Sequence, residues 1–258
     1  MREDLQLLAL DTSTDQMSVA VGRVVSGVPR IWSFNGAGGA AASNLLIPTI
    51  VDLMAQAGLA FADLDAIVFG RGPGAFTGLR GACAVAQGLG FAARARVGGA
   101  PVPLLPLDSL LALAEDARFR HALQAPQAPQ APQWQVLAML DARMDEIYAG
   151  RYRWDGVAWA TVSEPALAHP QDLRLEADQV MAGNVFDAYG ARLPLDAGVP
   201  WLHALPTASA MLRLAPALLA AGHGVDPARA LPSYIRDKVA STSSERAAAK
   251  AAATLSRP

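Results

Sequence analysis

The sequence holds a single cysteine, Cys83, among 258 residues. One thiol cannot close an internal disulfide, nor can it build a thiolate zinc site. Set among apolar and small residues, Cys83 reads as a small buried hydrophobe. Histidine is scarce too: His121, His169, His203 and His223 stand far apart in the chain. A helical His-x-x-x-His or His-Glu-x-x-His face is excluded, and no metal site or cofactor is expected. Charge is thin, with 17% charged residues and a formal net charge of -2. A broad electrostatic footprint for nucleic acid is absent, so contact with RNA is expected only locally or through a partner. The longest apolar window, Gly81 to Ala93, falls short of the roughly 20 residues that span a bilayer, and Gln87 interrupts it. The opening MREDLQLLALD carries acidic residues where a signal peptide needs positive charge. A soluble cytoplasmic protein without membrane contact is expected. No Gly-x-Ser-x-Gly elbow occurs, and no Lys-Ser or Lys-Thr follows a glycine loop. Serine-hydrolase and Walker A chemistry have no motif to rest on, and no catalytic residue is assigned.

What is present is apolar: 52% of the residues are hydrophobic, enough for one large core or two smaller ones. Leu5 to Leu10 is a short apolar run suited to a buried strand, and Met17 to Val25 reads as a second. Between them, Asp11 to Asp15 forms a polar turn with hydroxyls at its tip. Ile31 to Phe34 reads as a third strand. A helix over 43–57 is predicted, capped by Ser43 and ended by Gly58, with Leu46, Ile50, Leu53, Met54 and Ala57 at helical spacing. Leu64 to Phe69 is a further strand and runs into Gly70-Arg71-Gly72-Pro73-Gly74. Val102 to Leu105 reads as a short strand, and 109–123 as a helix. Gln124 to Gln133 repeats QAP, a solvated insertion too rich in proline for helix or central strand. Strands follow at 134–140, 147–153 and 157–163, the last two flanking a Trp154-Asp155-Gly156 turn, and then at 179–182. A helix over 208–221 and a final strand over 231–236 precede an Ala-rich tail, about 241–258, expected to be disordered. The pattern predicts two α/β lobes with mixed sheets, residues 1–105 and 106–258.

Three segments could carry chemistry. Asp11-Thr12-Ser13 after a buried strand resembles the first phosphate turn of actin-like kinases and ATPases. The loop containing Gly72 and Gly74 resembles a second, and glycines there let backbone N–H groups approach an anion. An active actin-like phosphotransferase or ATPase is therefore one reading; glycines that serve only the turn are the other. Asp141, Asp145 and Glu146 could hold Mg²⁺ or act as acid and base, or could form a turn with arginine pairs. Beyond the glycine loop, Gly78, Gly81, Val85, Gly88 and Ala92 share one helix face at about 100° per residue. Glycine in a helix interior costs roughly 1 kcal/mol against alanine. Several on one face suggest close approach by another helix, either within the chain or in a partner. The helix over 43–57 is apolar on more than one side, which points to a subunit interface.

LLALDTSTDQMSVAV at 7–21, GRGPGAFTGLRGACAVAQGL at 70–89, DSLLALA at 108–114, DARMDEIYAG at 141–150 and YIRDKVA at 234–240 together resemble the TsaB (YeaZ) family. The resemblance implies a two-lobe actin-like (ASKHA) fold. It also implies a role in making N6-threonylcarbamoyladenosine at position 37 of tRNAs that read codons starting with A. In the related catalytic subunit TsaD, a helical His-x-x-x-His pair holds a metal; the matching helix here, near Ala42 to Leu53, has no histidine. A non-catalytic scaffold that binds TsaD is thus implied, with the ATPase TsaE docking on the pair and tRNA reached only through the complex. The family's interface uses the helices on either side of the glycine loop. Carried onto this chain, it falls on Leu46, Ile50, Leu53, Thr77, Gly78, Gly81, Val85 and Gly88, and the same face could form a homodimer. Asp11, Thr12, Ser13, Gly72 and Gly74 then become a vestigial phosphate-loop-like cluster. A peptidase, an activity once assigned to the wider TsaD-like group, lacks a metal site or triad here.

Overall fold

The apolar run at the start of the chain is continuous because both faces of the strand it forms are covered. In the computed structural model, which describes residues 5–25, 28–39, 41–94, 99–124, 133–176, 178–194 and 199–236, this strand is β1 (Gln6–Asp11). It pairs antiparallel with β2 (Gln16–Val25), which pairs antiparallel with β3 (Val28–Ala37). On its other side β1 runs parallel to β4 (Ala66–Gly72), and β4 runs parallel to β5 (Leu104–Asp108). Leu8 and Leu10 face a core shared with α1 (Ala42–Ala57) and α2 (Phe76–Ala92). Leu7 and Ala9 face the opposite core, shared with α5 (Ala208–Ala220) and with Ala112 of α3 (Ser109–Gln124).

The second sheet repeats the design. β6 (Trp134–Arg143) pairs antiparallel with β7 (Glu146–Trp154), β7 with β8 (Trp159–Ala168), and β6 runs parallel to β9 (Gln179–Gly183), which runs parallel to β10 (Trp201–His203). The two orders, β3-β2-β1-β4-β5 and β8-β7-β6-β9-β10, correspond strand for strand. Helix α3 covers one face of the second sheet through Leu110, Leu113, Ala114 and Ala117. Leu173, Phe186 and Tyr189, the last two in the short α4 (Phe186–Tyr189), cover the other. Two mixed sheets of one topology, flanked by helices, are the two-lobe actin-like architecture that the resemblance implies.

Several boundaries differ from the sequence reading. β4 extends through Gly72, so only Pro73 to Ala75 remain as loop before α2. Ser43 does not cap α1; Ala41 precedes the helix and provides no side-chain bond, while Gly58 ends it at φ 64°. The strand expected at 102–105 lies at 104–108, so the 105/106 division falls inside β5. Helix α5, from the far end of the chain, packs back on the first sheet. Residues 231–236 form no sheet ladder. They cross between the lobes instead, with the Ser233 N–H donating to the Arg71 carbonyl at 2.7 Å. Most of the QAP insertion (125–132), residues 237–240 and the whole tail (241–258) lie outside the described residues.

Candidate functional site

Asp11 ends β1 where the two halves of the chain face each other. Its carboxylate turns inward: Oδ1 accepts from the Ser13 N–H at 2.8 Å and from the Ser13 hydroxyl at 2.6 Å, and Oδ2 accepts from the Ser109 hydroxyl at 3.2 Å. Burial pushes the Asp11 carboxyl up to about 6, against the pull of those hydrogen bonds. The Thr12 hydroxyl donates to the Gly78 carbonyl at 2.7 Å, and the Ala75 N–H donates to the Ser13 carbonyl at 2.7 Å. Asp11, Thr12 and Ser13 are all buried.

The glycines explain how this closeness is reached. A Cβ on Gly70 would stand 1.8 Å from Asp11 Oδ2, one on Gly74 2.4 Å from the Ser13 carbonyl oxygen, and one on Gly78 1.8 Å from the Thr12 carbonyl oxygen. Loop and turn therefore seal each other. Gly72, at φ 116°, leaves room for the crossing segment, whose Ser233 carbonyl oxygen lies 2.6 Å from where its Cβ would be. The structure sets Gly74 against Ser13, while Gly72 lies against Leu79 and the crossing segment; the side chains of Asp11, Thr12 and Ser13 bond to one another, to Ser109 and to Gly78.

Opposite them stands the β6–β7 hairpin, the positional counterpart of the β1–β2 hairpin in the second sheet. A cleft of about 240 Å³ lies between, bordered by Ser13, Phe76, Asp141, Arg143, Tyr234 and Arg236. Each hairpin carboxylate has an arginine: Asp141 with Arg143 at 3.0 Å, Asp145 with Arg192 at 2.8 Å, and Glu146 with Arg236. Asp141 Oδ1 also accepts from the Tyr189 hydroxyl at 2.8 Å. Of the two sequence readings of this segment, the arginine-paired turn is the observed one. Arg143, Met144 and Asp145 all have positive φ, of 62°, 56° and 61°, a left-handed run that costs non-glycine residues of order 1 kcal/mol each. Below the cleft, Asp108 accepts from the Tyr152 hydroxyl at 2.5 Å and from the Leu110 N–H at 2.8 Å, and burial raises its pKa. Asp108 ends β5, Ser109 starts α3 and Tyr152 comes from β7 of the other sheet, so only the packing of the two sheets brings Tyr152 to this pair. Among the described residues no group of three His, Cys, Asp or Glu could hold a metal ion.

The second candidate is a surface. Helices α1 and α2 lie on one face of the first sheet and touch each other. Leu46, Ile50 and Leu53, predicted to meet a partner, are buried in the chain's own core. The positions beside them point outward, since one residue on is a turn of about 100°. Leu45, Ile47 and Val51 are 44%, 54% and 51% exposed. On α2 the stripe divides. Gly78 packs on Thr12 and Val85 is half-buried against the core, whereas Thr77, Gly81 and Gly88 are exposed. Nothing lies within 4 Å of a Cβ on Gly81 or Gly88. Phe91, 48% exposed, ends this open face.

The family model described as TsaD, tRNA N6-adenosine threonylcarbamoyltransferase, matches residues 39–182. The tRNA threonylcarbamoyladenosine biosynthesis protein TsaB of Haemophilus influenzae is 30% identical over 251 residues, covering 92% of this chain and 96% of the relative. The protein of the same name from Escherichia coli K12 is 28% identical over 252 residues, with the same coverage. Among solved structures, YeaZ from Pseudomonas aeruginosa superposes with a TM-score of 0.72 at 36% identity, over 89% of this chain and 99% of that one. Among the described residues no helix is long and apolar enough to cross a membrane.

Proposed function

The chain belongs to the TsaB (YeaZ) family, and we propose that it serves tRNA threonylcarbamoyladenosine biosynthesis as a non-catalytic subunit that binds and supports TsaD. The observation that carries this reading is the uncovered face of α1 and α2. Leu45, Ile47 and Val51 offer apolar area, and beside them the bare backbone at Gly81 and Gly88 lets a second helix come close. A partner helix, from TsaD or from a second copy of the chain, covers this face. TsaE docks on the resulting pair, tRNA is engaged through the complex, and the assembly works in the cytoplasm. A phosphotransferase needs a phosphate to reach Asp11 and Thr12, whose buried side chains are engaged by Ser13, Ser109 and Gly78 instead.

The test is assembly. Mixed with TsaD, the wild-type chain should give a heterodimer by light scattering. Val51→Arg and Gly81→Leu should each weaken it at least about tenfold, by placing charge or bulk on the contact; tenfold is about 1.4 kcal/mol. Both positions are exposed, so the fold should survive, as circular dichroism would verify. Separate species with the wild-type chain, or unchanged assembly with both variants, would overturn the reading.

A further inference from the structure

At the edge of the second sheet rings crowd a groove of about 350 Å³ between α3 and β10. His121 of α3 forms one wall and stacks on Trp134, with centroids 5.8 Å apart and planes 19° from parallel. Trp201 of β10 forms the other and is backed by Phe186 at 4.7 Å. His203 meets Trp201 edge-on at 5.3 Å. Two of the five tryptophans and two of the four histidines of the chain meet here. Trp201 keeps 48% of its surface exposed although it is the largest side chain of an edge strand. The second sheet is already covered on both faces without it, so the exposure is not a by-product of core packing.

Arg120 completes the groove. Its Nε pairs with Asp116 at 2.8 Å, and its NH2 donates to the His203 carbonyl. Both contacts fix the guanidinium as a flat plate at the groove mouth. Asp187 lies 3.9 Å from His203 Nε2. The Arg120 charge is therefore matched by Asp116. Such a lining suits the face of a planar ring better than it suits a free phosphate, since base stacking on aromatic and guanidinium planes needs no net charge. Arg120 and His203 also border an adjoining polar pocket with Gln16, Asn35 and Thr207.

We propose that the groove between α3 and β10 binds a nucleobase, stacked between His121 and Trp201. The base can come from a free nucleotide or from an unpaired position of an RNA. The expectation of RNA rests on the proposed role in tRNA modification; the stacking chemistry does not.

Isothermal titration of the full chain separates the sources. One arm uses adenosine monophosphate, the other a short RNA hairpin with unpaired adenine in its loop. The hairpin is expected to bind, with Trp201→Ala weakening it by roughly five- to a hundred-fold, the range measured for losing one base–aromatic stack. Trp201→Phe keeps a ring and should recover most of the affinity. His121→Ala, on the opposite wall, should weaken binding without disturbing the Phe186 contact. Trp201-dependent binding of adenosine monophosphate alone would assign the site to a free nucleotide and uphold the base chemistry. Binding of neither probe, or binding indifferent to Trp201 and His121, would overturn the proposal. Trp201→Ala should pair with TsaD like the wild-type chain, so failure of the scaffold reading would appear in that separate assay.

Discussion

At the residue scale, Asp11 is the most consequential group, and its titration can be followed. Its pKa is raised from 3.8 to about 6 by burial. The folded chain therefore holds a proton that the unfolded chain releases near pH 4. Between about pH 4 and 6 the unfolded state binds fewer protons, so stability falls as pH rises and levels off above 6. At about 1.4 kcal/mol per unit, the full loss is of order 3 kcal/mol. Asp11→Asn keeps an oxygen acceptor for Ser13 and carries no charge to bury. Urea unfolding at pH 4 and pH 7.5 should show the variant gaining on the wild-type chain by roughly 1–3 kcal/mol across that interval. A constant difference between them at both pH values would refute the assignment. The sequence marks Asp11 as special through its place after an apolar run. Its protonation follows from burial beneath segments distant in sequence, Gly70 of β4 among them, while the Ser109 hydroxyl of α3 pulls the other way.

At the scale of elements, α2 does two jobs that its sequence does not distinguish. Gly78 and Gly81 lie three residues apart on one predicted face, yet one meets the Thr12 carbonyl and the other open solvent. Gly78→Ala should destabilise the isolated chain by about 1–3 kcal/mol, because the new methyl group strikes backbone that cannot swing away. Gly81→Ala should instead stabilise it by about 0.5–1 kcal/mol, through the restricted unfolded chain and better helix propensity. Thermal melting of the two variants reads the contrast, and equal shifts would dismiss it. Periodicity finds the helix and its small-residue face. It cannot find the turn that α2 rests on, since residues 12 and 78 are brought together only by the parallel pairing of β1 with β4. The same blindness misassigned Leu46, Ile50 and Leu53. A helix apolar on two sides has two candidate faces, and only the sheet beneath decides which one is spent inside.

At the scale of the whole molecule, the chain between Ser233 and Arg236 links the two sheets. Ser233 and Tyr234 hold the first lobe, through the Arg71 carbonyl and through Arg80 Nε, which donates to the Tyr234 hydroxyl at 3.0 Å. Phe76 and Tyr234 add a ring contact at 5.1 Å. Arg236 holds the second lobe, donating to the Glu146 carboxylate and to the Arg143 carbonyl. Arg236→Ala should cost about 1–2 kcal/mol, allowing for a partly exposed carboxylate partner. That corresponds to a fall in melting temperature of roughly 2–8 °C for a chain of this size. An unchanged melting temperature would mean that the crossing segment carries no tension between the lobes.

The sequence by itself determined the kind of molecule this is. Apolar runs that bury both faces and glycines at a strand end specify two mixed α/β lobes, because local periodicity and turn chemistry are written residue by residue, and five motifs in order carry the resemblance to the TsaB family. Tertiary structure decided what those residues are free to do. It turned the phosphate-like turn inward and divided the glycine stripe between core and surface. It moved the exposed apolar face to Leu45, Ile47 and Val51, and it gathered Arg120, His121, Trp201 and His203 into one groove. Each of these outcomes depends on strands and helices distant in sequence, and no local pattern carries the packing that brings them together.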